Sequence, residues 1–476
     1  MLNIYNSYTN KKEKFKPVTE GKVAIYSCGP TVYSYAQIGN FSSFLMADLL
    51  VRYFKYNGFE VKWVQNITDV GHLVDDSDDG EDKMEKASKE ENKTPIEIAR
   101  FYEEAFLKDS RLLNITVADK YPRATEHIPE MIEIIEDLKA KDIAYETGDG
   151  LYFDVTKYKD YGKLSGNTLE SLNSGARVEV NSEKRNPQDF ALWKKTVGSN
   201  ANHIMKWDSP WGEGFPGWHL ECSAMSRKYL GDTLDFHTGG EDNKFPHHEC
   251  EIAQSESFTG KKFANYWLHK SHILLNSEKM AKSTGNFFTV SDLIEKGYSK
   301  EAIRFTFITT HYRSKLNFTF DALKQSQTQL DRINDFIQLI LEAKTDENSN
   351  TKPLLSVIKS SKQQFDKALD DDLNVSSAMA ALYGFIKSIK KQINKNGITE
   401  EGKTEVLNFL KNIDKILAVF NFEKREEKKF SPEEEAKIKK LQEDRIRFRN
   451  EKNFAEADKI RDILSKMGVK INDSKI

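Results

Sequence analysis

Apolar positions recur along this chain with two periods, and the first 70 residues show both. Residues 23–26 form an unbroken apolar run that reads as a buried strand, ended by the Gly29-Pro30 turn. Phe44, Ala47, Leu50, Val51 and Phe54 then fall at helical spacing until Asn57-Gly58 stops the helix. Residues 60–67 alternate as a second strand. Strand, helix, strand is a βαβ unit, and such sheets bind ligands at the carboxyl ends of their strands. Cys28 and the stretch from Gln37 to Asn40 fall at that edge.

Further along, 75–93 is dense in charge and poor in apolar residues, and reads as a solvated loop. Residues 126–140 return to helical spacing, and 143–146, 151–155 and 176–180 read as short strands. Residues 234–237 and 272–275 read as further strands of the central sheet. From Tyr298 onward the period is helical, with Ile303, Phe307 and Ile308 on one face. A polar linker at 345–351 precedes a helical region reaching about Phe422. In the tail, Ser431-Pro432-Glu433-Glu434 is a capping box with proline at the first helical position. Asn453 and Glu456 open a last helix striped with Ala457, Ile460, Leu464 and Met467. The expected fold class is α/β, a Rossmann-like parallel-sheet domain with an insertion followed by an α-helical region. Its halves are 1–113 and 212–297, with the insertion at 114–211, a helical domain at 298–422 and a small helical tail at 423–476.

Composition narrows the partners. Lys plus Arg number 71 against 74 Asp plus Glu, a formal net charge of −3. The chain is therefore no generally basic nucleic-acid coat, and an RNA would have to be held by local basic surfaces. No apolar run approaches the roughly 20 residues of a membrane helix. The early charges Lys11, Lys12, Glu13 and Lys14 do not read as a signal peptide. With three cysteines in all, a reducing cytoplasm with thiols available for metal is expected.

Those cysteines carry the first candidate chemistry. Cys28 exits the first strand, Cys222 follows Trp218-His219-Leu220-Glu221, and His247-His248-Glu249-Cys250-Glu251 comes shortly after. On a helix His247 and Glu251 share a face. Cys28, Cys222, His247 and Glu251 can then complete a four-coordinate zinc shell. Cys250, three residues from His247, would instead give a closed structural site, and buried inert thiols are the bland alternative. Lys279-Met280-Ala281-Lys282-Ser283 is either an exposed loop or a mobile lid bringing cations to phosphates.

The run from Cys28 through Gly29, Thr31, Gln37 and Gly39 to Asn40 resembles the His-Ile-Gly-His signature of class I aminoacyl-tRNA synthetases, and 279–283 resembles their Lys-Met-Ser-Lys-Ser loop. Gln65-Asn66-Ile67-Thr68-Asp69-Val70 and the stretches 217–225 and 237–251 are similar to the cysteinyl-tRNA synthetase family. The resemblance runs nearly end to end. It implies a ligase that activates L-cysteine on ATP, with Mg²⁺, and passes it to tRNA(Cys), as a cytoplasmic monomer holding one Zn²⁺. It implies Gln37, Asn40, Lys279 and Lys282 as the catalytic set, with Gly29, Thr31, Gly39 and Asp242 also at the ATP. Thr68, Trp218, His219 and His237 would wall the amino-acid pocket. The zinc ligands would be Cys28, Cys222, His247 and Glu251, with Cys250 and His248 outside the shell.

Two positions depart from the signatures. Gln37 stands where the family has His, keeping a donor but no positive charge; Ala281 replaces Ser without changing charge. Residues 311–314 and 370–374 resemble the helical anticodon-side domain, with Asn374 capping a helix that carries Ala378, Ala381 and Leu382. Lys437, Lys439, Lys440, Arg445, Arg447 and Arg449 make the tail a candidate for RNA backbone contact. Two rivals remain open at this level. One is a ligase joining cysteine to an amino sugar, of the mycothiol type; the other is a zinc-stabilised RNA-binding protein without catalysis.

Overall fold

The computed structural model describes residues 2–71, 83–168, 182–275, 278–279, 287–425, 431–467 and 469. Its central sheet is built from β1 (Lys22–Ser27), β2 (Glu60–Gln65), β3 (Leu234–Gly240) and β4 (Ala264–Lys270). All pairs are parallel, in the order β4-β3-β1-β2. Helix α1 (Ile38–Tyr56) links β1 to β2, α2 (Trp218–Leu230) precedes β3, and α3 (His247–Thr259) links β3 to β4. A parallel sheet is covered on both faces, so its strands lose alternation and turn apolar. Ile25, Tyr26, Val64, Phe236 and Leu268 are accordingly fully buried.

α1 is buried nearly all round, including Asp48. That carboxylate lies 2.6 Å from Arg304 Nη2 and 2.9 Å from Arg52 Nε. Arg304, on the helix Lys300–Thr309, also donates to Leu417 O (2.6 Å) and Leu113 O (3.0 Å). A buried charge is tolerable when partnered this fully.

One strand expectation is corrected. Residues 272–275 do not join the central sheet: Ile273–Leu275 pairs in parallel with Leu316–Phe318 and antiparallel with Glu278–Lys279. The fourth central strand is β4, whose apolar run is broken by Asn265, His269 and Lys270. The charged stretch is also corrected in part, since Lys83–Glu91 is a helix that buries Met84 and Ala87, three apart on one face. Residues 72–82 and the strand expected at 176–180 lie outside the described residues.

Between the halves of the sheet domain, Ile128–Ala140 packs with an antiparallel sheet of Ala144–Glu146, Gly150–Phe153, Phe190–Lys195 and Gly214–Pro216. Its core is continuous with α2 and α3. The helices Phe320–Glu342, Lys352–Asp370, Val375–Asn396 and Glu400–Leu417 follow, and Asn374 Oδ1 caps the third by accepting from Ser377 N (3.0 Å). The chain divides into two compact units, Met1–Asn421 and Phe422–Ile476. In the second, Pro432–Asn450 and Phe454–Lys466 share a core of Ile438, Ile460 and Leu464, and Ser431 and Glu434 form the capping box.

Candidate active site and metal centre

Three segments distant in sequence meet at the carboxyl edge of the sheet. Cys28 follows β1 directly, and its N–H donates to Thr238 O of β3 (3.0 Å). Cys222 sits in α2. His247 and Glu251 open α3 and share a face across one turn. Their donor atoms, with those of Cys28 and Cys222, all lie within 4.8 Å of one another. Tetrahedral zinc, at about 2.0–2.3 Å from each ligand, requires donor separations of this order. Cys222 Sγ is 3.5 Å from His247 Nε2, which is 2.9 Å from Glu251 Oε1.

Burial sets the charges. Both thiols are pushed up, Cys222 strongly, so in a site without a cation they stay protonated. Glu251 is fully buried, yet the His237 and His247 rings outweigh that burial and hold its carboxyl down at about 2. Burial likewise opposes charge on His247, but Glu251 and Cys222 raise it to about 10. Glu251 Oε2 accepts from His237 Nε2 at 2.7 Å. Oε1 has no hydrogen-bond alignment despite its neighbours. A buried carboxylate oxygen left so, beside two thiols and an imidazole, is what a soft divalent cation would satisfy.

Trp218 stacks on His247 at 4.2 Å, and His219 Nδ1 is 3.0 Å from His247 Nδ1. Burial and the neighbouring His247 lower His219 to about 3, so it is neutral. His237 packs between Tyr26 and Trp267. Thr68 Oγ1 donates to Glu221 Oε2 at 3.3 Å, and burial raises Glu221 well above the usual carboxyl range. Thr68, Trp218, His219 and His237 thus all stand within one or two contacts of the four donors. Cys250 belongs to neither group of converging donors among the described residues, and its sulfur lies 3.5 Å from Tyr161 Oη.

His248 is a residue whose placement sequence reasoning missed. Its Nε2 is 3.1 Å from Cys28 Sγ and its Nδ1 2.8 Å from His269 Nε2. Cys28, His237, His248 and Glu251 form a second group of four converging donors. Gly239 makes room for it, since a Cβ there would meet His248 Cε1 at 2.7 Å. The paired histidines at 247–248 were the signal available.

Beside these donors opens a cavity of about 220 Å³, lined among others by Gln37, Gly39, Asn40, Asp242 and Lys270. Gln37 caps α1, and its N–H donates to Asn40 Oδ1 (2.9 Å), which leaves the Asn40 Nδ2 as a donor. A Cβ on Gly39 would meet nothing within 4 Å, so no protein packing demands glycine there. At Gly29 packing does: a Cβ would fall 1.7 Å from Asn66 O, and its N–H already donates to Asn66 Oδ1. The backbone of Thr31 bridges in parallel to that of Thr68. Asp242 Oδ2 lies 3.3 Å from His272 Nδ1. The backbone of Lys279 pairs with Leu274; Lys282 lies outside the described residues. Ile38 N donates to Phe288 O (2.9 Å), tying the first signature to the chain just after the second.

The two segments assigned to the helical domain also meet. Asp372 accepts from Tyr312 Oη (2.5 Å), Arg313 Nε (2.8 Å) and Tyr5 N (2.9 Å).

The catalytic domain of class I (C) tRNA synthetases matches residues 14–328, and a DALR domain matches 364–421. A cysteine–tRNA ligase of Chlorobaculum tepidum is 43% identical, with 100% of this chain and 97% of the relative covered. The chain belongs to the cysteine–tRNA ligase family. Brachyspira hyodysenteriae has a ligase of that name at 43% identity (99% and 97% covered), and Thermus thermophilus one at 42% (100% and 98%). The fold is that of solved class I synthetases. Methionyl-tRNA synthetase of Mycobacterium tuberculosis bound by methionyl-adenylate superposes at a TM-score of 0.58 with 12% identity (85% and 90% covered). LeuRS of Agrobacterium radiobacter, in a ternary complex with tRNA and LeuAMS, gives 0.64 with 9% identity (85% of each). No helix among the described residues of this family member is long and apolar enough to cross a membrane.

Proposed function

We propose that this cysteine–tRNA ligase family member activates L-cysteine on ATP and passes the cysteinyl group to the 3′ end of tRNA(Cys). The observation that carries the reading is the convergence of Cys28, Cys222, His247 and Glu251 beside the cavity that Gln37, Gly39 and Asn40 line. Bound at those four residues, zinc would take the substrate thiol as a soft ligand and discriminate against the harder, less acidic hydroxyl of serine. Glu251 Oε1, 2.9 Å from His247 Nε2 but without hydrogen-bond alignment among the described residues, supports that fit, and a carboxylate yields its place to substrate more readily than a third thiolate. His237 holds the other carboxylate oxygen, so Glu251 can shift without losing all its partners.

The cysteine carboxylate attacks the α-phosphate, pyrophosphate leaves, and no protein nucleophile is needed. Donors placed around the phosphates carry such a step. The Gln37 amide, Asn40 Nδ2 and the α1 N-terminus would supply those donors, and Lys279 and Lys282 would take the pyrophosphate, which needs Mg²⁺ as companion. A ribose hydroxyl of the terminal tRNA adenosine then takes the acyl group and AMP leaves. The DALR match supports tRNA over an amino sugar as acceptor. The test is ATP-dependent transfer of labelled cysteine to bacterial tRNA by zinc-replete protein, with serine as control. Acid-stable charging by cysteine alone is the expected result; pyrophosphate exchange without any charging would reassign the acceptor.

A further inference from the structure

Lys270 ends β4 and lines the same cavity as Gln37, Gly39 and Asn40. The residue is 3% exposed, and its Nζ is buried without a hydrogen-bond partner among the described residues. The cavity's own acids do not answer it. Asp242 lies 3.3 Å and Glu241 4.0 Å from the ring of His272. Burial alone pushes the Lys270 ammonium down, to about 8, with no counter-charge opposing it. Buried cations in folded proteins are paired, because removing them from water uncompensated is strongly unfavourable. One without a partner among the described residues, in the wall of a ligand cavity, is available to an anionic ligand.

The remaining wall indicates which anion. Gly39 offers an open face and Asn40 a free amide donor at the N-terminus of α1, a setting for phosphate. Position 37 brings only a neutral amide. We propose that Lys270 is a phosphate ligand of the bound nucleotide, supplying from the end of β4 the positive charge that Gln37 lacks. The inference rests on the adenylation reading for its substrate, but nucleotide binding tests it separately.

The experiment titrates adenosine, AMP and ATP-Mg into the full chain by calorimetry, for wild type, Lys270→Met and Lys270→Arg. If the contact is to phosphate, Lys270→Met weakens ATP by tenfold or more and AMP less, and leaves adenosine within twofold; Lys270→Arg recovers most of the loss. In cysteine-dependent pyrophosphate exchange, Gln37→His then restores the Lys270→Met enzyme by a larger factor than the change it makes in wild type. Equal weakening of adenosine and ATP, or none, overturns the proposal, as does a loss confined to cysteine affinity. Lys270→Gln replaces the methionine variant should that one fail to fold. Lys270-dependent ATP binding without any exchange in wild type refutes the ligase reading and leaves the phosphate contact standing. Normal exchange indifferent to Lys270 refutes the contact alone.

Discussion

Replacing Glu251 by glutamine removes one charge and almost no volume from the candidate metal centre. With an effective dielectric of about 20, two unit charges about 4 Å apart interact by about 4 kcal/mol, and a carboxylate with a divalent cation by about 8. The metal-free protein also loses something, because Glu251 is paired there with His237 at 2.7 Å and His247 at 2.9 Å. Subtracting about 4 kcal/mol for the single charge of His247, which is raised to about 10, from the attraction to the metal leaves about 4 kcal/mol, or nearly a thousandfold weaker metal binding. Cys250→Ser is the contrast, since that sulfur faces Tyr161, and it should change affinity less than threefold. Competition for zinc against a chromophoric chelator at pH 7 reads both. A Glu251→Gln effect below tenfold, or a larger effect from Cys250→Ser, would refute the ligand assignment.

Other outcomes follow from groups nearby and farther off. Burial holds Glu221 neutral, so Glu221→Gln should melt close to wild type at pH 5. A carboxyl raised on folding loses stability as pH climbs above its unfolded value, so the variant should gain on wild type by pH 8; equal melting differences at both pH values would mean Glu221 is ionised. Arg304→Met leaves the buried Asp48 only Arg52 as a cation and should lower unfolding free energy by up to about 3 kcal/mol in urea, with Arg304→Lys recovering part. Deleting 422–476, a separate compact unit, should leave pyrophosphate exchange within twofold and raise the KM for tRNA on the order of tenfold if its basic helix touches backbone phosphates.

Much of this was legible in the sequence where chemistry or period is local. β1 and α1 are unmixed apolar signals, and thiol, imidazole and carboxylate donors are scarce enough to be picked out by type. β4 was not legible, because a strand of the central sheet that carries Asn265 and buries His269 and Lys270 shows neither alternation nor an apolar run. The strand at 273–275 looked central because Ile-Leu-Leu specifies burial but not a partner. Lys270 had no signature at all: its meaning comes from losing water and finding no acid, both properties of the assembled cavity. The same holds for Asp48 and Arg304, which no local pattern could pair.

The donor cluster also has a consequence for the order of synthesis. Cys28 emerges early, but its companions at 222, 247 and 251 lie beyond the whole inserted segment, and β4, which His237 stacks against through Trp267, comes later still. A nascent chain therefore cannot present the four-donor arrangement until most of the sheet domain has left the ribosome. Capture of a metal ion would then mark completion of the core rather than nucleate it, unlike small zinc modules whose ligands are neighbours in sequence. Stalled chains ending before β4 should retain free, alkylatable thiols, and full-length chains should not.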